Sequence, residues 1–168
     1  MPSSLQLAAD DPALLEAVKR CRKLLHKRAL AGAAAGAVPV PGLDFLVDAA
    51  LLSKLLPAIN AEFGLTPEQL DRLPQHKREQ VQKAVAVVGS MLVGRFITKE
   101  LVIRAAQAIG VRLTMKQAAK YVPLAGQAVA AVISYTALRY LGEEHIKDCV
   151  QVCRAAHLQP PVPRIEAA

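Results

Sequence analysis

The stretch AVPVPGLDFLVD at residues 37–48 constrains this chain more than any other. Pro39, Pro41 and Gly42 fall together there, between an alanine-rich run and a leucine-rich one. Proline removes a backbone donor and disfavours helix in the residue before it, so a helix arriving from the N-terminal side must end here. Both flanks are helix formers, and the chain is expected to turn a tight corner between them. YVPLAGQAVAAV at 121–132 repeats the pattern 84 residues on, with Pro123 in the place of Pro39 and Gly126 in the place of Gly42. Two such breaks point to a weak internal duplication, or to two similar helix–break–helix elements facing each other.

Between and around the breaks, helix signals dominate. Asp11 followed by Pro12 reads as an N-cap with proline at the first helical position. Leu14, Leu15, Val18, Cys21 and Leu25 then recur at helical spacing. The next helix is expected from about Leu43 toward Phe63. Asp44 lies in its first turn, where the helix dipole favours negative charge, and Asp48 lies one turn on, placed to cap or bridge to a neighbouring helix. Pro57 is expected to kink or divide this helix, and Gly64 to end it. Thr66 and Gln69 form a capping box with Pro67 at the first position, opening a short helix to about Leu73. A long helix follows from about Gln75, polar in QHKREQVQK and apolar in AVAVVGSMLVG. Beyond it the spacing predicts a helix from Lys99 to about Ile109, a second capping box at Thr114–Gln117, and a small-residue helix from Leu124 to Leu141 ended by Gly142. Glu143 and Glu144 would open a last helix that runs to His157. No stretch alternates with period two, so no sheet is expected. The expectation is an all-α, compact multi-helix bundle of about six to eight helices with two proline–glycine breaks. It comprises an N-terminal tail over 1–9, one domain over 10–158 and an extended, mobile tail over 159–168.

The material for the core follows from composition. Hydrophobic residues are 53% of the chain, enough to bury a core, yet aromatics are only 4% and tryptophan is absent. The interior must be built from Ala, Val, Leu and Ile, and small side chains let helix backbones approach closely. Three cysteines, Cys21, Cys149 and Cys153, make no disulfide framework and fit a reducing, cytoplasmic setting. The N-terminal MPSSLQLAADDP has neither a basic nor a long apolar region, so no secretory signal is expected. The longest uncharged runs, 84–94 and 121–138, fall short of or barely reach the roughly 18–20 residues that a spanning helix needs. The second contains Pro123, Gly126, Gln127 and Ser134, and both read as buried helices. An integral membrane protein that uses 84–94 and 121–141 is the alternative.

Motifs for catalysis are missing from the sequence. There is no G-x-x-x-x-G-K-[ST], no G-x-G-x-x-G after a strand, no G-x-S-x-G and no H-E-x-x-H. Asp44 and Asp48 share a helical face, but an acid–base pair needs a cleft and a partner group, and neither is visible. His145, Cys149, Cys153 and His157 recur every four residues, so they share one helix face and are all metal-ligand types. Twelve residues of helix span roughly 18 Å, so one ion would reach only two of them, whereas a structural zinc site wants four. Small core residues at Cys149 and Cys153, with histidines at the two helix ends, is the competing reading. No catalytic residue, cofactor or small-molecule substrate is expected.

Charge is more informative. The net charge is +7 and uneven: KRCRKLLHKR at 19–28 carries Lys19, Arg20, Arg22, Lys23, Lys27 and Arg28 without an acid. A basic amphipathic helix reads as a membrane-surface or partner-binding element, and equally as the solvated outer face of a bundle. RFITKELVIRAAQAIGVRL at 95–113 is also amphipathic and basic, and Phe96, Ile97, Lys99, Leu101 and Arg104 are its candidate contact residues. Aromatics near the basic runs are scarce, so there is no stacking platform for nucleic acid, and no nucleic-acid partner is expected.

Three ordered segments carry a family resemblance: VPVPGLDFLVDAALLSKLLPAINAEFGLTPEQLDRL, FITKELVIRAAQAI and KYVPLAGQAVAAVISYTALRYLGEEHIKDCVQV. Over roughly residues 25–157 the chain resembles the C-terminal helical region of the immunity-related (interferon-inducible) GTPases, together with bacterial GTPase-associated and EcsC-like helical domains. The resemblance implies an all-helical domain that contributes to membrane targeting and protein contacts, with the membrane-attaching segment near Phe96–Ile109. The GTPase domain itself is missing, so GTP hydrolysis does not carry over. The expected function is a non-enzymatic helical module that binds an anionic membrane surface or docks to a partner protein, such as a GTPase in trans. Self-association is a further way to cover its apolar surface.

Overall fold

The computed structural model describes residues 2–36, 43–90, 93–94 and 123–161, with the backbone alone for 35–36, 43–49, 123–131 and 133–134. Among these residues every regular element is a helix and no strand occurs. The elements are α1 (Ser4–Leu7), α2 (Pro12–Gly36), α3 (Leu43–Glu62), α4 (Pro67–Asp71), α5 (Gln75–Val88) and α6 (Pro123–Ala155). The first break, with Pro39, Pro41 and Gly42, lies outside the described residues, as do the side chains of Asp44 and Asp48 and all of 95–122.

Local capping chemistry sets the ends of several helices. Asp11 Oδ1 accepts the backbone N–H groups of Ala13 at 2.9 Å and Leu14 at 3.1 Å, as an N-cap ahead of Pro12 should. Thr66 and Gln69 form the reciprocal capping box of α4, with Pro67 at its start. Gly64 takes a left-handed φ of 74°, and the Leu65 N–H reaches back to the Asn60 carbonyl at 2.9 Å, which closes α3. Gly89, at φ 72°, ends α5 at Val88 by donating to the Val85 carbonyl.

Several expectations are corrected. Pro57 does not divide α3, which runs through it from Leu43 to Glu62. The apolar 84–94 run is not a helix throughout, because Gly89 stops it. Gly142 ends nothing: α6 is continuous from Pro123 to Ala155, with Pro123 its first residue and Gly126 inside it. Glu143 and Glu144 are therefore mid-helix residues and complement no dipole. The N-terminal tail is in part a helix, with Ser3 and Gln6 forming a capping box on α1 and with Ser4 and Ala8 buried. Its Ser4 N–H and Oγ donate to Glu143 Oε1 at 3.1 and 2.7 Å. The C-terminal tail begins packed rather than loose: Pro160 is buried, Pro161 lies beside Gly64, and Gln159 donates to Asp11 Oδ2 at 3.3 Å.

Helices α2 and α6 form the principal seam and run antiparallel, since Arg22 meets Glu143 while His26 meets Tyr135. Gly142 lies on this seam, against Leu25. A Cβ built on it would fall 2.8 Å from Leu25 Cδ2 and 3.1 Å from Leu25 Cγ, inside van der Waals contact. Helix α3 closes on both partners, and α5 packs on α6. Leu14, Val18, Cys21 and Leu25 of α2, Leu55, Leu56, Ile59 and Phe63 around α3, and Ile146, Cys149, Val150 and Cys153 of α6 fill one continuous core. No tryptophan is needed, because a glycine and alanines at the seams bring the helix axes together.

Candidate functional site

The histidine–cysteine series on α6 proves to be a docking stripe for the last turn of α3. His145 is 2% exposed and sits in the middle of the helix, not at its end. Its Nε2 donates to Asn60 Oδ1 at 2.9 Å, and the Cys149 thiol donates to the same oxygen at 3.5 Å. Cys149 Sγ lies 3.8 Å from His145 Nε2. One turn further, the Cys153 thiol points at the Phe63 carbonyl, 3.6 Å away, where α3 has ended and carbonyls lack helical partners. His157 stands apart, exposed, at a left-handed φ of 49° just past the helix. The four residues therefore do not converge, and among the described residues no three metal-ligating side chains do.

Burial sets the protonation of this stripe. It pushes the His145 pKa down to about 4, because a charged imidazolium loses its hydration there. The same cause pushes Cys21 and Cys153 up to about 12 and Cys149 well above the usual thiol value. Thiols held neutral and shielded from solvent are poor nucleophiles.

The basic segment divides into two sets. Arg20 binds Glu62 of α3 at 2.7 Å and Arg22 faces Glu143 of α6 at 3.6 Å, so two of its cations tie helices together. Lys19 pairs with Glu16 on its own helix at 2.7 Å. Lys23, Lys27 and Arg28 are exposed, and among the described residues none of them has an acidic partner. The second basic segment, with Phe96, Ile97, Lys99, Leu101 and Arg104, lies outside the described residues.

Beside these free cations is a cluster that sequence reasoning missed. His26 Nδ1 lies 3.1 Å from the Tyr135 hydroxyl and 3.4 Å from Arg139 Nη1. The Arg139 guanidinium stands 5.9 Å from the centre of the Tyr135 ring, and the His26 and Tyr135 rings meet edge-on. A cation over an aromatic face is held by the ring quadrupole. The available signal was the four-residue spacing of Tyr135 and Arg139 on α6, with His26 three residues after Lys23 on α2. Nothing local says that the two helices meet there. Two grooves also open on the described surface. One, of about 550 Å³, lies between α4 and α5, and its cation Arg78 is already committed to the Asp71 and Leu73 carbonyls. The other, of about 500 Å³, lies beyond the end of α3, where Glu62 is committed to Arg20.

No family model, curated protein or solved structure matches this chain. No helix among the described residues is long and apolar enough to cross a membrane.

Proposed function

We propose that this chain is a non-enzymatic, cytoplasmic helical module that attaches peripherally to anionic membrane surfaces. The observation that supports it is the set Lys23, Lys27 and Arg28: exposed cations on one helix, left over after Arg20 and Arg22 are committed to the bundle. Each basic residue near an anionic surface contributes about 1 kcal/mol, so three act together as a weak, salt-sensitive anchor. Leu30 and Val132 add apolar side chains that are 51% and 64% exposed. Residues 96–104 extend the same chemistry in the sequence. The resemblance to the helical region of immunity-related GTPases fits this role, with a bundle of about six to eight helices and two proline–glycine corners. A GTPase supplied in trans is the protein partner that resemblance favours.

Flotation of the purified chain with neutral and with anionic vesicles, at low and high salt, tests the proposal. Flotation with anionic vesicles alone, lost in salt, is the expected result. Replacing Lys23, Lys27 and Arg28 by glutamine together should remove it. Absence of flotation under every condition would rule the membrane reading out, and salt-resistant flotation with neutral vesicles would mean apolar insertion instead.

A further inference from the structure

The His26–Tyr135–Arg139 cluster is an array of hydrogen-bond donors that, among the described residues, has no acidic group to bind. A guanidinium can only donate, so the His26 Nδ1 that lies 3.4 Å from Arg139 Nη1 must accept. The Tyr135 hydroxyl lies 3.1 Å from the same nitrogen and shares its one lone pair in that arrangement. In that arrangement the ring proton sits on Nε2, which becomes a donor on the solvent side of an exposed residue. Arg139 keeps the rest of its planar N–H fork free of this contact. Arg20, Arg22, Arg78 and Arg154 each lie within ion-pair distance of a carboxylate, but among the described residues no carboxylate pairs with Arg139.

We propose that His26, Tyr135 and Arg139 form a binding site for the terminal phosphate of an anionic lipid headgroup. The proposal rests on the peripheral membrane reading above and names the ligand of that surface. A guanidinium fork held in plane by an aromatic ring matches two oxygens of a phosphate, which a lysine cannot do. The imidazole N–H serves a third oxygen, and a phosphomonoester offers three that are not esterified. The flanks argue for a lipid rather than a free phosphate. Leu30, one turn along α2 from His26, and Val132, about one turn along α6 from Tyr135, are both exposed. Because the two helices run antiparallel, both lie toward the same end of the seam, and an apolar edge next to a cation–tyrosine pair matches the boundary between acyl chain and headgroup, where tyrosine and long cations are favoured. Lys23 and Lys27 lie on the same helix as His26 and add charge without geometry.

The test compares the full chain on vesicles of neutral lipid doped with phosphatidic acid, which ends in a phosphomonoester, or with phosphatidylserine, at matched surface charge. Binding to phosphatidic acid should be about tenfold tighter, the scale of one charge-assisted bidentate contact. Arg139→Lys, which keeps the charge, should bring that binding down to the phosphatidylserine level and leave phosphatidylserine binding unchanged. His26→Gln, at an exposed position, should reduce the same preference and serves if Arg139→Lys lowers the melting temperature. Equal binding to the two lipids would overturn the site and leave the peripheral reading standing. A preference that survives both substitutions would also overturn it. No binding to either vesicle would overturn both. Stabilisation by inorganic phosphate without a vesicle preference would refute the lipid as the source.

Discussion

Replacing Gly142 by alanine should destabilise the protein, although alanine is the better helix former. In a helix interior the exchange gains about 1 kcal/mol of backbone propensity. Against this, the new methyl would lie 2.8 Å from Leu25 Cδ2 and 3.1 Å from Leu25 Cγ. Contact with the branch carbon matters most, because turning one methyl away cannot relieve it. Leu25 is 1% exposed, so its whole side chain must move within a filled core. Overpacking of this kind costs about 1–3 kcal/mol, and the crowding of several Leu25 atoms at once places this site toward the upper part of that range. The net loss should be about 1–2 kcal/mol, or a fall of roughly 2–8 °C in Tm for a domain of this size. Urea and thermal melts followed by far-ultraviolet circular dichroism measure it. A double-mutant cycle decides the cause. In a Leu25→Ala background the methyl fills space that leucine has left, so Gly142→Ala should become stabilising there. A loss that is the same in both backgrounds would mean that Gly142 matters for its backbone conformation, and the close-approach reasoning would be wrong. A gain in the wild-type background would refute it outright.

Three further outcomes are expected. His145 has its folded pKa lowered to about 4 against an ordinary value of about 6.5, so below pH 6.5 the unfolded chain takes up the proton first and stability falls. That loss should grow to about 3 kcal/mol near pH 4, and His145→Gln should show a shallower decline in stability between pH 6.5 and 4 than the wild type; an equal slope would count against it. Burial raises the Asp148 pKa, which penalises its charged form in the fold, so Asp148→Asn should raise Tm at pH 7 with the gain fading in acid, and a gain independent of pH would contradict the cause. The buried thiols of Cys21, Cys149 and Cys153 should resist a thiol reagent at pH 8 in the native protein and all react in denaturant, and rapid native labelling would contradict their burial.

What the sequence discloses about this molecule is what is settled within a few residues. Asp11, Thr66 with Gln69, and Gly64 can be read in advance because a cap is a contact between a residue and its own next turn. Gly142 shows where that reasoning stops. A glycine after an apolar run looks the same whether it halts a helix or lets another helix approach, and Leu25 decides the matter from 117 positions away. Arg20 and Arg22 look like surface charge for the same reason, since Glu62 and Glu143 are distant in the chain. The His145–Cys149–Cys153 stripe is plain in the sequence as a stripe. Its meaning depends on Asn60 and Phe63, which no spacing on α6 can reveal. The all-helical class follows from pattern alone, whereas the His26–Tyr135–Arg139 cluster exists only once α2 and α6 lie side by side.

The grip of Glu143 on Ser4 also bears on how the chain is made. Synthesis proceeds from the N-terminus, so α1 and α2 leave the ribosome long before the helix against which they pack. The residues that receive Ser4, Arg22 and Leu25 are Glu143 and Gly142, and the core side chains Ile146, Val150 and Cys153 follow later still. Until then the apolar stripe of α2 and the inner face of α3 lack their α6 partner, and Asn60 holds its amide out to an imidazole not yet translated. The contacts that join the two ends of the described chain can form only after α6 has been made, and apolar helix surface waiting for its partner is the kind that chaperones shield.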